Sequence, residues 1–238
     1  LIQTEKVAAV GKLAAGVAHE LNNPLTGVLT FTEELLEDVA EDAPEREDLL
    51  IILRETIRCR QIVRDLLDFS RQGKPNRQVL SLESVIRRTL SLVQKQAAFH
   101  DIQFELSLSE GPLVTEGDPN QLQQVLLNLV INARDAMDGN GTIKLQTRSC
   151  EGGRISLEVM DHGVGISEAQ QSKIFEPFYS TKGAQGNGLG LAAVRSIIER
   201  HGGDIQVDST VGQGCTFRVL LPALPERENT TPHPGLTP

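Results

Sequence analysis

Cysteine is scarce and badly spaced for chemistry. Cys59, Cys150 and Cys215 are odd in number, far apart, and form no CxxC pair. That argues against a disulfide framework and a zinc site, and fits a reducing compartment. Tryptophan is absent and aromatics make up only 3% of the chain, so aliphatic side chains must do most of the packing. No apolar run approaches the ~18 to 20 residues of a membrane span, and no signal peptide is visible. Positive charge is also short: 23 Lys and Arg against 32 Asp and Glu give a net charge of -9. This balance argues against a nucleic-acid backbone as the main partner. What remains is ordinary for a water-soluble chain, with 39% hydrophobic and 23% charged residues over 238 positions. That is length enough for one large domain or two small ones. The chain opens on Leu1 inside a helical pattern, as expected of a segment from a longer protein.

The first seventy residues read as a helical hairpin. Val10, Ala14, Val17, Leu21, Pro24, Val28, Phe31 and Leu35 follow alternating steps of four and three, the seam of a coiled coil or bundle. Asp42-Ala43-Pro44 breaks the pattern. A second run places Leu49, Ile52, Leu53, Cys59, Val63, Leu66 and Leu67 on its apolar side and fades at Gly73-Lys74-Pro75. Two helices joined by a short turn lie antiparallel. Alone they bury little, so the pattern predicts pairing with a second copy as a four-helix bundle.

Within the first helix lies "GVAHELNNPL", from Gly16 to Leu25. At 100° per residue His19 falls about 170 to 180° from the seam and points to solvent. Asn22 and Asn23 share that outer face, with Glu20 nearer the flank. An outward histidine is by itself an ordinary surface residue. Pro24 changes the weighing, because an interior proline costs about 3 kcal/mol and orphans the carbonyl one turn back, that of Glu20. Strain tolerated beside a His-Glu pair suggests function.

From Gln78 the texture becomes α+β. Residues 81–99 read as a helix, 102–109 as a strand, and 120–137 as a helix capped by Asp118-Pro119. Strands follow at 142–149 and 154–161 around Gly152-Gly153, then a helix at 189–200 and strands at 203–209 and 215–222. One sheet covered by helices on one face is the economical architecture. Asn128 and Asn132 share a helix face, with Asp135 three residues on. Asp161 ends a strand ahead of Gly163 and Gly165. Gly186, Gly188 and Gly190 sit where a loop enters a helix, whose free N–H groups can hold phosphate. Singly, each has a plainer reading as a turn, a cap or a surface residue.

Their order is specific. "HELNNP", "NLVINARDA", "DHGVGI", "IFEPFYSTK" and "GNGLGLA" resemble, in sequence, the H, N, G1, F and G2 boxes of bacterial sensor histidine kinases. "HELNNPL" and the short interval between Phe178 and Gly186 are similar to the nitrogen-regulation subgroup. The resemblance implies a dimerisation and phosphotransfer domain at 1–75. It implies an ATP-binding α/β sandwich at 76–222, of the fold shared with Hsp90, DNA gyrase and MutL. A disordered Pro/Thr-rich tail is expected at 223–238. His19 would accept the phosphoryl group, Glu20 would act as acid/base, and Asn23 would position water for dephosphorylation of the partner. Asp161 would bind the adenine amino group. Asn128, Asn132 and Asp135 would face the phosphates, with Asn132 on Mg²⁺. Gly163, Gly165, Ile166, Gly186, Gly188, Leu189 and Gly190 would shape pocket and lid. Phe175 and Phe178 would hold the lid, and Thr181 or Lys182 would reach the terminal phosphates. The implied partners are a second copy of the chain and the receiver domain of a response regulator. The implied location is the cytoplasm, with a membrane anchor only if an upstream segment supplies one.

Three positions depart from the family pattern or discriminate within the fold. Self-hydrolysing ATPases of this fold carry glutamate four residues before the metal asparagine, where this chain has Asn128. That favours transfer to histidine over ATP hydrolysis. Many family members carry lysine where Asp135 stands, with Arg134 one residue earlier. A strand hydroxyl usual in the family is replaced by Cys215, and the neighbouring Thr216 should face the other side of the strand. A dimeric docking module without catalysis is the alternative from another class, and a test of Mg·ATP stabilisation separates the two.

Overall fold

The break at Asp42-Ala43-Pro44 separates two long helices, α1 over Ile2–Asp38 and α2 over Glu45–Ser70. Arg46 fastens the turn by donating to the carbonyls of Leu36 at 2.9 Å and Val39 at 3.1 Å. The last carbonyls of a helix lack internal partners, so one guanidinium satisfies two of them. Glu45, Glu47 and Asp48 occupy the first turn of α2, where negative charge suits the helix dipole. The computed structural model describes residues 2–70, 75–181, 186 and 188–224, with side chains from Glu20 onward except 61 and 64–70.

The hairpin carries two seams on α1. Leu25, Leu29, Thr32 and Leu36 are its more buried positions, continued by Val39 just past its end, and Leu49, Leu53, Thr56 and Val63 are the corresponding positions on α2. The seam read from the sequence is a different one: Leu21, Val28, Phe31 and Leu35 stay exposed, Phe31 at 67% against 5% for Leu29. The two seams are offset by one residue, about 100° around the helix. On α2, Ile52 and Cys59 likewise face outward. Leu66 and Leu67 lie outside the described side chains, as do Val10, Ala14 and Val17.

Two units divide the chain. One comprises Leu1–Lys74 with Ile174–Ala193; the other comprises Pro75–Lys173 with Val194–Pro238. In the second, strands β2 (Ile102–Ser107), β4 (Gly141–Cys150), β5 (Arg154–Asp161), β6 (Asp204–Thr210) and β7 (Gly214–Pro222) form a mixed sheet in the order β2-β4-β5-β7-β6. Only β2 and β4 run parallel. Helices α3 (Leu82–Val93) and α4 (Pro119–Ala136) pack together, and α4 lies against β4, β5 and β7. Alternation decides the faces. Ile143 and Leu145 on β4 and Phe217, Val219 and Leu221 on β7 are buried every second residue, as a half-covered sheet requires, and Ile155, Leu157 and Val159 of β5 share their face, although Ser156 and Glu158 between them are buried too. Val125, Leu126, Leu129 and Val130 of α4, the helix that covers these strands, are buried, as are Val85, Ile86, Leu90 and Val93 of α3, which packs on α4.

Three expectations need correction. The helix predicted over 81–99 ends at Val93, and a 3-10 turn covers Ala97–Phe99. Ser81 is the cap, its Oγ accepting from Ser84 N at 3.2 Å. Gln96 is extended, which turns Phe99 into the core at 6.3 Å from the Phe104 ring; tertiary burial overrides a sequence with no breaker there. β2 stops at Ser107, because Ser109 N donates to the Thr147 side chain at 3.1 Å instead of continuing the ladder. Finally, the expected single sheet is joined by a second, two-stranded one, β1 (Gln78–Ser81) antiparallel to β3 (Val114–Gly117). Past β7, Ala223 N and Leu224 N donate to the carbonyls of Gly153 and Val114, both at 2.8 Å. The rest of the expected tail lies outside the described residues.

Candidate functional site

Helix α4 starts where Asp118 caps it, Oδ1 accepting from Asn120 N at 2.9 Å and Gln121 N at 3.3 Å ahead of Pro119 in the first turn. Its apolar face is committed to the core, which leaves Asn128, Asn132 and Asp135 half-buried on the flank. These three fall within about 60° of one another around the helix. Asp135 accepts from Arg134 Nε at 2.9 Å, and the Arg134 guanidinium lies 5.0 Å over the Phe99 ring. Arg134 is therefore held between a carboxylate and an aromatic face.

Asp161 closes the inward-facing series Ile155, Leu157, Val159 and is 5% exposed. Its Oδ1 accepts from Gly163 N at 2.9 Å, and the carboxylate also accepts the backbone N–H of Cys215. Burial pushes its pKa upward, against the opposing pull of those two N–H groups and of His162. A carboxylate has about four acceptor sites. Two are used by these backbone groups, so capacity remains for an amino group.

The loop after Asp161 is fixed by close backbone approaches. Val164 N donates to the Ala136 carbonyl at the end of α4, at 3.0 Å. A Cβ on Gly163 would lie 2.4 Å from that same oxygen, and one on Gly165 would lie 2.2 Å from the Thr210 carbonyl. Gly165 also has φ +70, a conformation glycine adopts freely. Ile166 N donates to Ser209 Oγ at 2.9 Å, and Gln171, at the end of the short helix α5 (Glu168–Gln171), donates through Nε2 to the carbonyls of Ile166 at 3.1 Å and Ser209 at 2.9 Å. The loop is thus pinned to β6. Ser209 and Gln171 were not singled out in the sequence, where nothing distinguishes them from surface polar residues.

The segment Ile174–Ala193 belongs to the other unit. In it Phe178 N donates to the Gly188 carbonyl at 3.0 Å. A Cβ on Gly188 would lie 2.4 Å from the Phe178 carbonyl carbon, and both residues have positive φ, +65 and +67. The left-handed region costs a non-glycine residue about 1 kcal/mol, so the glycine contact holds Phe178 in a strained turn. The Phe178 side chain is exposed and Phe175 is half-buried. Leu189 is buried, Gly186, Gly188 and Gly190 are half-buried, and Thr181 is exposed. Helix α6 (Gly190–Arg200) begins at the last glycine. Lys182 lies outside the described residues.

On α1 the helix runs unbroken through Pro24. Thr26 Oγ donates to the Asn22 carbonyl at 2.8 Å, and Glu20 and Asn23 are exposed. His19 is on this helix, with its side chain outside the described ones. Among the described residues no group of three or more His, Cys, Asp or Glu could hold a metal ion. A cation bound through Asn132 would therefore take most of its ligands from phosphate oxygens and water, as Mg²⁺ commonly does. Among the described residues no helix is long and apolar enough to cross a membrane.

An apolar helical hairpin with a His-Glu pair, followed by an α/β unit with a buried strand-end carboxylate and glycine loops, defines a histidine kinase architecture. Two family models match: the His Kinase A (phospho-acceptor) domain over residues 9–75 and the Histidine kinase-, DNA gyrase B-, and HSP90-like ATPase over 117–225. The sensor histidine kinase ZraS of Klebsiella oxytoca is 38% identical over 92% of this chain and 47% of its own length. Full-length ShkA in complex with AMPPNP superposes with a TM-score of 0.72 at 28% identity, covering 89% of this chain and 46% of that one. Histidine kinase ThkA in complex with the response regulator TrrA gives 0.68 at 29%, over 94% and 65%. The chain belongs to the sensor histidine kinases of two-component systems. It spans from 26% to 52% of the length of the curated relatives it matches.

Proposed function

We propose that this chain is the catalytic core of its kinase and transfers the γ-phosphoryl group of ATP to His19, then to an aspartate of a response regulator. The observation that carries this is the buried Asp161 carboxylate, with acceptor capacity left over, at the end of β5 beside the Gly163–Gly165 loop. Adenine binds through its amino group to Asp161, while Asn128 and Asn132 face the phosphates, with Asp135 alongside. Gly163, Gly165 and Ile166 form the loop beside Asp161, and the resemblance to the family's glycine boxes is what adds Gly186, Gly188, Leu189 and Gly190 as lid residues. Thr181 or Lys182 is the candidate contact to the terminal phosphate, from the resemblance alone. Mg²⁺, when bound at Asn132, supplies positive charge to the phosphate oxygens.

Glu20 orients the His19 imidazole and takes its proton. The imidazole nitrogen attacks the γ-phosphorus as the bond to the β-phosphate oxygen breaks and ADP leaves. Asn128 stands where a hydrolytic glutamate would be, which favours histidine over water as the nucleophile. Asn23, one turn from Glu20, positions water for dephosphorylation of the regulator. The exposed seam Leu21, Val28, Phe31 and Leu35 supports a homodimer with a four-helix bundle. The AMPPNP complex of ShkA and the regulator complex of ThkA support the nucleotide and the partner. The matched ranges support a phosphotransfer domain at 1–75 and an ATP-binding domain at 76–222. "HELNNPL" and the short interval before Gly186 support the nitrogen-regulation-type subgroup.

The test is incubation with Mg²⁺ and γ-labelled ATP, for this chain and for His19→Ala. Acid-labile, base-stable label lost in the variant is the expected result. Equal labelling of both chains would place the phosphoryl group elsewhere and end the proposal.

A further inference from the structure

One carboxylate serves two structures in the α/β unit. Asp118 Oδ1 caps α4, while Oδ2 accepts from Asn76 N at 2.9 Å. Asn76 is where the chain arriving from the helical hairpin joins the described part of this unit. The Asp118 backbone N–H in turn donates to Nε2 of His201 at 3.0 Å, and His201 Nδ1–H donates to the Ile197 carbonyl of α6 at 2.8 Å. Both ring nitrogens are thereby assigned: Nδ1 carries the proton, Nε2 accepts, and the imidazole is neutral. His201 is 2% exposed, packed so tightly that a Cβ on Gly117 would lie 2.9 Å from its Cδ2. Arg77 adds a bond from its guanidinium to the Arg200 carbonyl at the end of α6. The arriving chain, the first turn of α4 and the last turn of α6 are therefore tied together within a few residues.

Asn128 lies ten residues along α4 from Asp118, about 15 Å at the helical rise. A helix is stiff over that distance, so a displacement of its capped end is carried to the asparagines rather than absorbed. A backbone N–H bonded to the capping carboxylate makes the linker part of that cap.

We propose that Asp118 and His201 are positioning residues for phosphoryl transfer, which tie the interdomain linker to the helix carrying Asn128 and Asn132 so that linker position and nucleotide geometry are coupled. This rests on the kinase function proposed above. By linkage, the factor by which nucleotide tightens the Asn76 tether is the factor the tether adds to nucleotide affinity, and both are small; the larger effect of losing the tether is misplaced phosphates, read in the rate of transfer.

Asp118→Asn separates the two jobs. One oxygen remains to cap α4, while the amide nitrogen confronts Asn76 N–H donor to donor. Asp118→Ser does the same by another route, a hydroxyl that caps but is too short to hold both groups. The full chain and both variants are compared by nucleotide titration, by the initial rate of label on His19, and by hydrogen exchange over 75–80. The expected result is Mg·ATP affinity within about threefold of the parent, with a phosphorylation rate at least about tenfold lower. Mg·ATP should slow exchange at 76–78 in the parent and not in the variants. Parent-like rates in both variants would overturn the inference, as would rate losses matched by equal losses of affinity, which would mean a cap and nothing more. A parent chain that fails to bind Mg·ATP would instead overturn the kinase reading itself, and the inference with it.

Discussion

Asp161 and Cys215 are Cα partners across β5 and β7, and the Cys215 N–H donates to the Asp161 carboxylate. The Cys215 side chain is 6% exposed. Its pKa is pushed up to about 12, chiefly by burial and then by the neighbouring Asp161 charge. A thiol this basic stays protonated at physiological pH and is a poor nucleophile. Cys59, by contrast, is exposed. Iodoacetamide at neutral pH should modify Cys59 first and leave Cys215 untouched in the folded protein, as read by peptide mass spectrometry. Native-state alkylation of Cys215 at the Cys59 rate would contradict this packing.

The raised pKa of Asp161 has a sign. A carboxylate whose folded pKa lies above its unfolded value favours folding at pH below the unfolded value, and that contribution is lost as pH rises through the folded value. At neutral pH the buried charge therefore weighs against stability and is retained for binding. Asp161→Asn removes the charge with little change of shape. At pH 7 its melting temperature without nucleotide should not fall by more than about 3 °C. The rise that Mg·ATP gives the parent should disappear. A variant still stabilised by Mg·ATP would show that adenine is not read by this carboxylate.

The two seams of α1 make opposite predictions. Phe31 lies on the exposed seam and Leu29 on the buried one. Phe31→Asp should leave the helices formed but shift the chain toward monomer. Leu29→Ala should lower stability by about 2 to 5 kcal/mol, as loss of a buried leucine does. Light scattering and thermal unfolding read the two outcomes. If Phe31→Asp leaves the mass unchanged, a dimer through this face is ruled out.

This pair of seams also shows where the sequence was legible. Periodicity located both helices; on α1 it picked out the outer seam and missed the inner one, while on α2 it took Leu49, Leu53 and Val63 of the inner seam together with the outward Ile52 and Cys59. Thr32 and Thr56 sit among the inner positions, and a threonine hydroxyl can be buried in a helix by bonding back one turn, as both do. The main strands of the sheet were legible because their alternation is strong. β1 and β3 were not, since four residues carry too little pattern. The glycines around Gly163 and Gly188 stood out as motifs, but the reason for them, backbone packed against backbone, is visible only in three dimensions. Nothing in the sequence marks His201. A histidine followed by two glycines after a helix reads as a helix stop, and its partner Asp118 is 83 residues away.

His201 gives the last prediction. Burial lowers its pKa first; Arg77 and Arg200 lower it further, while the bond to Ile197 and the charge of Asp118 oppose them. Protonation would place a second N–H against the Asp118 N–H and break the node. In the unfolded chain the imidazole takes its proton near pH 6.5, whereas the folded state resists it. Below that value the unfolded state binds more protons, so stability falls as pH falls, levelling off below the folded pKa. His201→Gln offers one acceptor and one donor and has nothing to titrate. Between pH 7.5 and 5.5 the parent's melting temperature should drop more steeply than the variant's, although the variant starts lower. Parallel curves would mean that the folded protein accepts a proton on His201 as readily as the unfolded chain does, and that the neutral node at the base of α4 is not required for stability.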